Sequence, residues 1–169
     1  MYQPYPEGGA GPAPQTPERP PSVQNAVRLM YAGAAISLFV IIVAVVTIGS
    51  TRTAIHADFP AYSASKVHKA ATALVVYEVV IQIITIGLWL WMAAANKAGK
   101  SWARIVSTVL FILNTLILLS SLARPHAVLG ILLLVLVWLA GLGAIILLWL
   151  RDSSAYFAAS KSARAQPGR

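Results

Sequence analysis

A single carboxylate stands inside a long apolar run. Glu78 lies in Ala70–Ala95, AATALVVYEVVIQIITIGLWLWMAAA, 26 residues with no other charge. About 20 apolar residues cross a bilayer as a helix, and an ionisable group in such a span is costly unless it is paired or put to use. Gln82, Thr85 and Trp89 follow Glu78 at helical spacing on one face. The next apolar run carries Ser107, Asn114 and Ser121, each seven residues from the last, again on one face. With the two spans centred near Gln82 and residue 112, Glu78 and Asn114 lie roughly 6 Å and 4 Å outward of the midplane at 1.5 Å per residue. The sequence therefore predicts an intramembrane polar cluster of Glu78, Gln82, Asn114, Ser107 and Ser121. Two uses fit it. One is interhelical glue, with the Glu78 carboxyl bonded to Asn114 or Gln82; the other is a proton or cation site.

A second set of candidate ligands is His56, Asp58, His68 and His126. Imidazoles with a carboxylate suit Zn²⁺ or Cu²⁺, but these spacings match no metal motif, and no metal site is assigned. There is no HExxH, no Gly-rich phosphate loop and no Ser-His-Asp grouping within reach of one another. The chain has no cysteine, which excludes disulfides, thiol catalysis and Cys-ligated metal. It also excludes electron transfer through membrane cysteine pairs. The reading is a non-enzymatic protein without a cofactor.

Composition sets the elements that hold these residues. Of 169 residues, 58% are hydrophobic and 11% charged, where a soluble domain carries about a quarter charged. Nearly all charges lie outside four apolar runs, about 29–49, 70–95, 101–122 and 127–150. The fold class expected is all-α: a polytopic membrane protein of four transmembrane helices in an antiparallel bundle. Residues 1–22 hold seven of the ten prolines and are expected to form a disordered cytoplasmic tail. Its Pro14-x-x-Pro17 and Pro17-x-x-Pro20 spacings suit a groove-type protein partner. Residues 23–151 form the membrane domain and 152–169 a basic cytoplasmic tail, in which Asp152 caps a short interfacial helix and the rest is disordered. Ser50–Lys69 is expected to be the longest loop, broken by Pro60, with Phe59 and Tyr62 as headgroup anchors. Asn96–Lys100 is short enough to make the second and third spans a hairpin. Gly33 and Ser37 let the first span approach another helix closely, within the chain or across a homo-oligomer. MYQPYPEGG has no basic signal-peptide region, so the first span is expected to be retained.

Cytoplasmic segments carry the excess of Lys and Arg. With both termini inside, the inner segments hold nine basic residues (Arg19, Arg28, Lys97, Lys100, Arg104, Arg151, Lys161, Arg164 and Arg169) and the outer ones four (Arg52, Lys66, Lys69 and Arg124). The net charge of +8 thus reads as a topology signal and an attraction to anionic lipids at the cytoplasmic face. It is not read as a nucleic-acid footprint, because no reading module accompanies it.

PPSVQNAVRLMYAGAA, GLWLWMAAANKAGKSWARIVSTVLFILNTL and LLWLRDSSAYF resemble a group of small actinobacterial membrane proteins with a Pro-rich N-terminal tail and four spans. The resemblance covers roughly residues 20–157. It implies location and topology, with no catalytic residues, because the group is one of uncharacterised proteins. Small four-span multidrug exporters also use a membrane glutamate, but in their first span, where this chain has none. The functional expectation is a scaffold or interaction protein of the cell envelope, in the bacterial plasma membrane. The alternative is a small oligomeric transporter or proton- or cation-conducting protein built on Glu78.

Overall fold

The computed structural model describes residues 18–122 and 128–165. All six elements are helices: α1 Pro21–Val46, α2 Ile48–Asp58, α3 Ala64–Lys97, α4 Ser101–Leu122, α5 Val128–Trp149 and α6 Arg151–Ala165. Four of them, α1, α3, α4 and α5, are long and apolar enough to cross a membrane. By that length and composition the chain is built as a multi-pass membrane protein. Most of the N-terminal tail, including Pro14 and Pro17, lies outside the described residues, as does His126.

Helix α1 starts where its prolines allow. Pro20 is extended (φ −66°, ψ 153°) and Pro21 is the first helical residue, a position where the missing N–H costs nothing. The helix ends at Thr47, whose hydroxyl donates back to the Val43 carbonyl at 2.7 Å. α2 begins at the next residue. Thr51 and Thr53 make the same backward bond to Thr47 and Gly49, a habit that bends helices without ending them. The segment Ser50–Lys69, expected to be loop, is therefore mostly helix. Pro60 confines the interruption to Phe59–Ser63, where the Phe59 and Tyr62 rings stack with centroids 5.0 Å apart. Ser63 then caps α3, its Oγ accepting from the Lys66 N–H at 3.4 Å.

At 34 residues, α3 is about 50 Å long, well beyond the ~30 Å hydrocarbon core. It stops at a turn built on Gly99, which has φ +65°, a conformation glycine adopts freely. A Cβ there would also fall 2.5 Å from Ser160 Oγ of α6. The short helix expected after Asp152 is longer than expected, running as α6 to Ala165, and residues 166–169 lie outside the described residues. Asp152 sits inside its first turn, and Tyr156 and Phe157 are buried. Through Ala165 the tail is helical because those two rings pack beneath the bundle.

Helix α1 is central: its main neighbours are α3 and α5, while α4 packs chiefly on α5 and touches α3 sparingly. The α1–α3 approach is close at Gly33, where a Cβ would sit 2.7 Å from the Trp89 ring. The buried core gathers at the α6 end. Ala26, Ala93, Ala103 and Ala144 are each at most 1% exposed there, and such small residues let helices approach closely in a membrane. Elsewhere the spans present apolar side chains outward, Tyr77, Ile83, Leu116 and Leu119 among them. An exposed apolar surface of this extent marks a membrane-facing or partner-facing molecule.

Candidate functional site

Glu78 and Gln82 sit one turn apart on α3, both half-buried. Gln82 Nε2 donates to Glu78 Oε1 at 2.8 Å. This is a bond along one helix, the i,i+4 geometry. Asn114 of α4 is also half-buried, but it lines a cleft between α3 and α4, backed by α5 and by Met30 of α1, that neither Glu78 nor Gln82 borders. The structure thus joins Glu78 to Gln82 and brings Ser107 and Asn114 to one cleft, and no hydrogen bond links the two pairs. Ser121 lies half-buried in the last turn of α4.

The cleft, about 260 Å³, follows from how α3 and α4 are each held elsewhere. Trp89 keeps α3 against Gly33 of α1. On the other side, Trp138 Nε1 donates to Thr115 Oγ1 and Trp149 Nε1 to Thr108 Oγ1, each at 3.0 Å. Those indoles pin α4 to α5, so the two helices that share a short turn diverge beyond it. Leu88, Trp89, Met92, Leu110 and Phe111 make the walls apolar. Thr85 also lines the cleft, but its hydroxyl is spent on the Ile81 carbonyl of its own helix. The cleft therefore suits an apolar occupant better than an ion.

Ser107 has a partner that sequence reasoning missed. Asn96 Nδ2 donates to Ser107 Oγ at 3.1 Å and to the Met92 carbonyl at 2.9 Å, fully buried. In the sequence Asn96 opens a polar basic connection, and nothing separates it from a headgroup-facing residue. Arg104 was equally hidden, since it reads as a topology charge. Its guanidinium donates to Ser154 Oγ at 3.2 Å and lies over the Trp149 and Phe157 rings at 4.7 and 5.5 Å, a stacking that suits arginine.

These contacts belong to a clasp in which α6 grips the rest of the chain. Tyr156 Oη donates to the Lys97 carbonyl at 3.0 Å. Arg164 donates to the carbonyls of Ala98 and Gly99 at 2.9 and 2.7 Å. The Ser153 hydroxyl bridges Ser22 Oγ at 2.8 Å and the Leu147 carbonyl at 2.6 Å. One short helix thereby ties down the N-terminus of α1, the end of α5 and the α3–α4 turn.

His56 and Asp58 are exposed at the end of α2, and His68 is exposed near the start of α3. Among the described residues no three His, Cys, Asp or Glu side chains come together to hold a metal ion. No family model, curated protein or solved structure matches the chain.

Proposed function

We propose that the protein is a non-enzymatic scaffold or interaction protein of the bacterial plasma membrane, and that it belongs with the small actinobacterial four-span proteins it resembles. In this reading the bundle is antiparallel and both termini are cytoplasmic. The inner face, rich in basic residues, lies against anionic lipid. The observation that carries the proposal is the α6 clasp. A helix with little apolar surface to spare is bolted beneath the spans by side chains from Ser153 to Arg164. What it leaves outward, including Ala155, Ala158, Ala159 and Lys161, is exposed. A tail fixed in this way offers a partner a preformed surface, which avoids the ordering cost a loose tail pays on binding. The Pro-rich N-terminal segment, with its PxxP spacings, supplies a second attachment on the same side.

The test joins topology to contact. The chain has no native cysteine, so a cysteine at Ser63 is expected to react with an impermeant reagent from outside intact cells, and one at Ala98 to stay silent. Photo-crosslinkers at Ala155 and Ala158 are expected to capture one defined protein, and Tyr156→Ala, which frees α6, to abolish that product while insertion persists. Labelling at Ala98, or crosslinks indifferent to Tyr156→Ala, would overturn the proposal.

A further inference from the structure

A second groove, of about 540 Å³, lies at the α6 end of the bundle, between the start of α1 and the end of α3. Arg19, Arg28 and Lys97 line it, with one carboxylate, Glu18. Its cations are held in place through their backbones. Gln24 Nε2 donates to the Arg19 carbonyl at 3.0 Å, and Tyr156 Oη holds the Lys97 carbonyl. Arg28 spends one N–H on Asn25 Oδ1 at 3.3 Å, and a guanidinium carries five donors. The first turn of α1 has no acidic residue and no side-chain cap, so the positive end of its dipole adds to the same field.

Depth decides the chemistry of the occupant. The residues that line the groove on α1 end at Arg28 and on α3 fall at Lys97, just outside the apolar runs 29–49 and 70–95, so on the membrane reading the groove lies where both helices leave the hydrocarbon. Immediately deeper, the surface turns apolar. Tyr31 is one turn on from Val27, and Leu90 is two turns before Lys97, each on the same helix face; both are exposed. A cationic socket above an outward apolar strip matches a phosphate ester with acyl chains attached. We propose that this groove binds the phosphodiester of one anionic phospholipid, with Arg28 and Lys97 as the principal contacts and Arg19 closing the rim. The inference rests on the membrane reading, but not on which protein α6 meets or on which leaflet it faces.

The full-length protein, reconstituted in nanodiscs of phosphatidylcholine with a minor fraction of phosphatidylglycerol, is released and its retained lipids are counted by native mass spectrometry. Wild type is expected to retain phosphatidylglycerol in preference to phosphatidylcholine. Arg28→Gln with Lys97→Gln should lower that preference roughly ten-fold. Lys100→Gln with Arg151→Gln removes equal charge from exposed positions outside the groove and should leave it unchanged. Glu18→Gln removes the opposing carboxylate and should raise retention, a gain that misfolding would not produce. Equal losses in both double variants would mean diffuse attraction and overturn the site. Displacement of the lipid by inorganic phosphate would assign the groove to a soluble anion and overturn the lipid. Failure of the α6 crosslinks would leave all these outcomes readable.

Discussion

At the α6 end of the bundle, Tyr156, Arg104 and Arg164 bond to other helices or to the turn between them. Toward the other end, Glu78, Thr85 and Ser120 find partners within their own helix. Among the described residues there, Trp138 bonds across to Thr115. The core follows the same division, with the fully buried Phe157, Met30 and Leu148 all gathered near α6. A polar group bonded along its own helix carries no information about which neighbour that helix chooses, whereas a bond across helices does. The contrast therefore separates a region whose geometry is specified by directional contacts from one held mainly by the packing of apolar surfaces.

The largest expected effect tests whether the clasp is part of the fold. Phe157 is 1% exposed and supports the Arg104 guanidinium. Phe157→Ala is expected to cost about 3–5 kcal/mol, as for other buried aromatics, read as a lower unfolding temperature of the full chain in nanodiscs. An unchanged melting curve would mean that α6 rests on the bundle without stabilising it.

A smaller effect sharpens the comparison between two asparagines. Asn96→Leu removes a buried bond between α3 and α4 and is expected to cost about 1–2 kcal/mol. Asn96 Oδ1 has no partner, which keeps the cost toward the lower figure. Asn114→Leu only makes the apolar cleft more apolar and should be nearly neutral. The reverse order in thermal unfolding would break the distinction between the two ends.

The smallest effect is expected at Glu78. Glu78→Gln keeps a side chain that can bond Gln82, and its stability should match wild type. Glu78→Leu should cost only about 0.6 kcal/mol, the average for a membrane hydrogen bond. In proteoliposomes, proton flux should be the same for wild type and Glu78→Gln. A flux present in wild type and lost in Glu78→Gln, with melting unchanged, would instead make Glu78 a relay and favour the transporter reading.

The amino-acid sequence by itself determined the four spans. The last two apolar runs lie where α4, Ser101–Leu122, and α5, Val128–Trp149, are found, helices long and apolar enough to cross a membrane. Length and apolarity suffice, because every residue of a span must be tolerable in hydrocarbon. The same rule hid the rest. Lipid is as apolar as a helix interface, so the face of α1 that meets α3 and the face that meets lipid carry the same residue types. Periodicity could place Glu78 and Asn114 at matching depth, yet it could not reveal that α4 turns toward α5 through Trp138 and Trp149. Nor could it show that Asn96 turns inward, or that the rings of SSAYF fold under the bundle. Those choices rest on shape, on an indole finding a threonine hydroxyl and on Gly99 leaving room for Ser160. Such fits exist only once the helices are side by side, and only the tertiary structure decided them.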